Sequence, residues 1–139
     1  MAEAAPGSRG ATWFGILGAA AGFLGVAAGA FGAHALRDSL PPERLQLVET
    51  AARYQLVHAL ALVAVSIALT SRGAPSRALT LAGWLFALGQ VLFCGSLYAL
   101  GGTGARWWGA VTPLGGMGFL AGWIALGIGL GARRPAPRS

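Results

Sequence analysis

The sequence predicts an all-α protein, an integral membrane four-helix bundle with glycine-rich close helix packing. Three features carry that prediction: a scarcity of charge, long windows with no charge at all, and glycines repeating at the spacing of a helix-packing face. Only 10% of the 139 residues are charged and 55% are hydrophobic, whereas a soluble domain carries about 25% charged residues. The charges cluster, and between the clusters lie four uncharged windows, from Gly10 to Leu36, Tyr54 to Ser71, Ala78 to Ala105 and Trp107 to Ala132. A helix needs about 20 mostly apolar residues to cross a bilayer. Three windows are ample, and the second gains length if Arg53 and Tyr54 sit at the interface with their polar ends in water.

The first span is expected near residues 13–36. Ala33, His34 and Ala35 offer a signal-peptidase pattern, but the apolar stretch before them is too long for a signal h-region of about 7 to 15 residues. The connection that follows is amphipathic, and a helix is expected over about 41–53. Ser39 can cap it, Pro41 and Pro42 suit its first turn, Glu43 suits its positive end, and Glu49 can pair with Arg53 one turn later. Such a helix lies in the interface or runs on into the second span. The remaining spans are expected near 53–71, 78–100 and 109–131, making residues 1–139 a single membrane domain. The run TPLGG, Thr112 to Gly116, reads as a tight start to the fourth helix, since proline is tolerated in a first turn.

An even number of spans puts both termini on one side. Six arginines (Arg9, Arg72, Arg77, Arg133, Arg134 and Arg138) fall on that side, against Arg37, Arg44, Arg53 and Arg106 on the other. The positive-inside rule therefore places both termini in the cytoplasm. Trp13 and Phe14 mark one interface, and Tyr54, Tyr98, Trp107 and Trp108 the other. The net charge of +6 comes from arginines at helix ends. Membrane lipids, rather than nucleic acid, are the expected partners.

In the first span Gly15, Gly18, Gly22, Gly25, Gly29 and Gly32 recur at intervals of three and four. Glycine in a soluble helix costs about 1 kcal/mol against alanine. Within lipid the same residue lets two backbones approach. Gly115, Gly118, Gly122, Ala125, Gly129 and Ala132 echo the spacing in the fourth span, so a contact between these two spans, or between copies of either, is expected. A homo-oligomer or a membrane partner protein would use such glycine-zipper surfaces.

Tracing the spans back and forth gathers His34, Tyr54, Gln55, His58, Ser96, Tyr98 and Thr112 at one end of the bundle, with Gln90 nearer the centre. Polar residues inside spans are costly and commonly functional, so these seven form the candidate binding set. Gln90 reads as interhelical glue and Cys94 as a small packing residue. A metal centre of His34, His58 and Cys94 lacks close ligand spacing and a carboxylate within a span. A Ser96, His58 and acid triad has nothing local to recommend it. No catalytic residue, metal or cofactor is expected.

Four stretches, GAFGAHAL (29 to 36), RYQLVHALAL (53 to 62), GQVLFCGSLYAL (89 to 100) and VTPLGGMGFLAGW (111 to 123), resemble in order the domain of unknown function 423 family. This family comprises YgdD-like small inner-membrane proteins and is related to eukaryotic transmembrane protein 256. The resemblance implies a four-helix protein of the bacterial plasma membrane without an established activity. It marks His34, Tyr54, Gln55, His58, Ser96, Tyr98, Thr112 and Pro113 as matching the family's motifs. At Cys94 many bacterial members have serine, and ETAAR before Tyr54 departs from a more usual small-residue pattern. The function expected is that of a non-enzymatic structural or accessory membrane protein. The alternative is a small transporter, or a protein that binds lipid or a small solute through the polar cluster.

Overall fold

The computed structural model describes residues 6–72 and 74–132. Four helices in it are long and apolar enough to cross a membrane. They are α1 (Pro6–His34), α2 (Pro42–Arg72), α3 (Arg77–Thr103) and α4 (Trp108–Gly131). α2 is continuous through the amphipathic connection, so Glu43 and Glu49 stand on the same helix as the second span. Ser39 does not cap it; its hydroxyl donates back to the Ala35 carbonyl at 3.3 Å. Glu49 and Arg53 form no ion pair either, among the described residues.

Each helix packs on its neighbours in sequence, and α1 and α4 do not touch. The expected contact between the first and fourth spans is therefore replaced by two separate ones. The six glycines of α1 face α2: a Cβ at Gly22 would lie 3.8 Å from Ala59 Cβ, one at Gly29 3.8 Å from Ala52 Cβ, and one at Gly32 3.5 Å from Val48. At Gly18 it would meet the Ala59 carbonyl oxygen at 2.8 Å, closer than real atoms approach. Gly15 and Gly25 lie against Ser66 and Leu56 of the same helix. Val48, Ala52, Leu56, Ala59, Val63 and Ser66 form the facing stripe, in which Ala52, Ala59 and Ser66 are small. Two antiparallel faces of equal period stay in step along their whole length.

The stripe on α4 serves α3 instead. A Cβ at Gly115 would collide with the Phe93 backbone nitrogen, one at Gly122 would stand 2.7 Å from the Phe86 ring, and one at Gly129 2.6 Å from Leu79. Gly118 lies against Gly89. Pro113 is inside α4, which runs unbroken through TPLGG. Opposite it, α3 carries a π-helical turn over Gln90–Cys94, closed by Gly95 N–H donating to the Gln90 carbonyl.

Phe14, Leu62, Val65, Leu79 and Phe86 are almost fully buried and form the core between α1, α2 and α3, with Phe119 joining from α4. The outward faces are equally apolar. Phe23, Leu60, Val91 and Leu120, one from each helix, are 69–74% exposed. In water these faces would be aggregation sites; in a bilayer they match the solvent.

Helix ends are satisfied by donors from other elements. Arg44 donates from Nε to the Gly101 carbonyl at 2.7 Å and also to the Gly102 carbonyl, covering the end of α3. Arg72 reaches the Leu130 and Ala132 carbonyls at 3.0 and 3.1 Å, covering the end of α4. Gly104 takes the left-handed conformation, φ 74°, that stops α3, a geometry glycine adopts without steric cost.

Candidate functional site

The candidate polar residues occupy three separate groups rather than one pocket, and His34 joins none of them. His34 is exposed at the end of α1 and bonds to no described residue.

The first group centres on His58, which is 4% exposed. Its Nδ1 stands 2.7 Å from the Tyr54 carbonyl, four residues back on α2, and its Nε2 lies 3.3 Å from Trp123 Nε1 of α4. A carbonyl can only accept and an indole N–H can only donate, so Nδ1 carries the proton and Nε2 is the acceptor. The imidazole lies flat on Phe119, with ring centroids 3.5 Å apart and planes 9° apart. Tyr54 packs against Phe93 with ring centroids 4.7 Å apart and planes tilted by 37°. Ring packing and two bonds of fixed sense hold His58 as a neutral strut between α2 and α4. No lone pair is left for a metal.

In the second group Gln55 bridges three helices. Its Nε2 donates to the Ala21 carbonyl of α1 at 3.1 Å, and its Oε1 accepts from the Tyr98 hydroxyl of α3 at 2.7 Å. The third group joins α3 to α4. Ser96 Oγ donates to the Phe93 carbonyl at 3.0 Å and stands 2.8 Å from Thr112 Oγ1. Thr112 Oγ1 also lies 3.4 Å from the Trp108 carbonyl, so either hydroxyl can supply the proton between them. Among the described residues, no three His, Cys, Asp or Glu side chains come together.

Gln90 departs from its expected role as interhelical glue. It is 8% exposed, yet neither Nε2 nor Oε1 has a hydrogen-bond partner. It lines a cleft of about 540 Å³ between α1, α2 and α3, walled by side chains such as Leu17, Leu24, Leu62 and Val91, with Gln55, Cys94 and Tyr98 also on its surface. Gln90 is also the first residue of the π-turn, a distortion frequent at functional sites.

Sequence reasoning passed over four partners. Trp123 gave one signal, an indole N–H inside an apolar span that needs an acceptor. Ser66 gave another: a hydroxyl in a span bonds to a carbonyl, here that of Ala11 at 2.6 Å. Arg44 and Arg72 were legible only as topology signals, because the carbonyls they cover lie 57 to 60 residues away in sequence.

Four spanning helices, tied together by polar side chains bonded to backbone carbonyls and to one another, define a small multi-pass membrane protein. The chain belongs to the family described as "Protein of unknown function (DUF423)", whose profile matches residues 28–116. It is similar to the "UPF0382 membrane protein YwdK" of Bacillus subtilis, 44% identical over 111 residues that cover 80% of this chain and 89% of the relative. It is also similar to "UPF0382 membrane protein SH2409" of Staphylococcus haemolyticus, 43% identical, covering 80% of this chain and 88% of the relative. The "UPF0382 inner membrane protein YgdD" of Escherichia coli K12 is 38% identical over 120 residues, covering 82% of this chain and 86% of the relative. No solved structure matches.

Proposed function

We propose that the protein is a non-enzymatic structural or accessory protein of the bacterial inner membrane, with both termini in the cytoplasm. One observation carries the reading: Gln55, His58, Ser96, Tyr98 and Thr112 spend their hydrogen bonds on groups within the bundle. The base His58 is bound to an indole, and the hydroxyl of Ser96 is bound to a carbonyl and a threonine. General base catalysis needs a base within reach of the proton it takes, and that juxtaposition is missing among these residues. The name of the Escherichia coli relative supports the inner membrane, and six arginines against four support the orientation.

Partners, on this reading, are membrane lipids together with a second copy or another membrane protein, and not nucleic acid. They dock on the lipid-facing sides, because both glycine faces are already filled within the chain. The test is native mass spectrometry of the protein excised with its own membrane. A second copy or a protein partner in fixed ratio is expected. A monomer carrying no protein in fixed ratio overturns the accessory role.

A second reading, binding of a lipid or small solute, is favoured by the cleft in which Gln90 is left unpaired. Transport in particular has no such support.

A further inference from the structure

An unpaired carboxamide in the middle of a bilayer is costly, because no water is there to bond it. Gln90 is such a group: it lies halfway along α3, with both amide atoms buried and without partners. Among the described residues every other buried polar side chain, Gln55, His58 and Ser96, is bonded. The exception is on the wall of the cleft.

The dimensions of the cleft restrict what can fill it. On α1 its wall runs from Leu17 to Ala28, roughly 16 Å of helix at 1.5 Å per residue. Spread over that length, 540 Å³ gives a mean cross-section of roughly 34 Å². A long, narrow space of this kind suits a hydrocarbon chain or a flat ring. Phe14 of α1 closes one end by packing on Gly83 of α3.

Its chemistry restricts the occupant further. No charged side chain lines it, so a phosphate or carboxylate would enter without a counter-charge. The amide lies at the depth of the bilayer centre, where ionic headgroups do not reach. What fits is an uncharged oxygen-bearing group on an apolar body. A carboxamide can donate to a carbonyl and accept from a hydroxyl, so it can hold both redox forms of a ring whose oxygens alternate between these two.

We propose that this cleft binds a slender, uncharged lipid-soluble ring compound bearing carbonyl or hydroxyl oxygens, the class of isoprenoid quinones and quinols, with Gln90 bonding a ring oxygen. The proposal rests on the second reading above, not on the accessory role. Both Gln90 amide atoms are buried in the structure, so binding requires a rotamer change of this unbranched side chain that turns the amide into the cleft. Tyr98 Oη, which already donates to Gln55, keeps a lone pair for a quinol hydroxyl.

The test uses the full chain in nanodiscs of uncharged phospholipid, with menaquinone-4 and its quinol as probes and squalane, which has no oxygen, as the control. Three proteins are compared: wild type, Gln90→Leu and Gly95→Leu. Gly95 lines the cleft, and a Cβ there meets nothing within 4 Å, so a side chain at this position starts in open space. Circular dichroism and thermal unfolding verify that each variant is folded. Saturable binding of one quinone per chain is expected, weakened roughly tenfold in Gln90→Leu, the worth of one hydrogen bond, and lost in Gly95→Leu. Any of four results overturns the proposal: no saturable quinone binding by wild type, equal binding of squalane, an unchanged Gln90→Leu, or an unchanged Gly95→Leu. Saturable retention of a phospholipid instead would leave the lipid-binding reading standing and remove only the ring compound.

Discussion

Gly115 and Gly127 stand twelve residues apart on α4 and differ in one respect. A Cβ at Gly115 would strike the Phe93 backbone, whereas one at Gly127 meets nothing within 4 Å. Gly115→Ala is expected to destabilise the protein by about 1–3 kcal/mol, the usual cost of overpacking, and Gly127→Ala to leave stability unchanged or raise it. Reversible unfolding in mixed micelles measures both. The polar groups behave as pairs at this scale. Gln55→Leu and Tyr98→Phe each break the same bond at 2.7 Å, so their costs, about 0.6–1.7 kcal/mol each in a membrane protein, are expected to be less than additive in a double-mutant cycle. Additive costs would mean that the two side chains do not meet. Trp123→Phe removes the donor to His58 Nε2 and is expected to cost a similar amount.

Helix pairing was partly legible in the sequence. The heptad of glycines announced that something must come close to α1, but periodicity identifies a face and not the neighbour it meets. The neighbour is α2, because a short connection between antiparallel helices brings sequential elements together and because α2 carries small residues at the matching period. Cysteine pairs check this geometry. In a Cys94→Ser background, Gly22→Cys with Ala59→Cys is expected to form a disulfide readily, since the Cβ separation of 3.8 Å falls in the bonding range. A pair joining Gly22 to Gly122 of α4 is expected to form none within one chain, and efficient formation there would contradict the observed order of helices. The arginine caps belong to this scale too. Arg44→Ala strips the donors from the Gly101 and Gly102 carbonyls, and faster hydrogen exchange confined to the last turn of α3 is the expected readout.

At the scale of the whole molecule, the four spans and the membrane setting followed from charge placement, since a charge inside lipid is too costly to be scattered at random. The polar set was legible as a list and not as a constellation. Following the spans back and forth gives each residue a depth, but only the order and rotation of the helices decides which residues touch. That is why six of the seven residues divide into three groups while His34 joins none, and why Gln90 appeared to be glue. Reporter fusions test the proposed orientation: both termini are expected to report from the cytoplasm, and a periplasmic signal from either would overturn it.

The π-turn at Gln90–Cys94 gives α3 one more residue than a regular helix would need for the same rise. A residue contributes about 100° of rotation, so this spare residue offsets the facing of everything after it from everything before it. The segment before the turn presents Leu79 and Phe86 to α4, and the segment after it presents Ser96 to α4 and Tyr98 to α2. Deleting lipid-facing Val91 removes no polar group and leaves enough apolar length to cross the bilayer. It is nevertheless expected to abolish the coupling between Gln55 and Tyr98, because the later segment would turn away from its partners. For this helix, chain length is itself a specificity determinant, and a shortened protein could keep every functional side chain while losing their encounter.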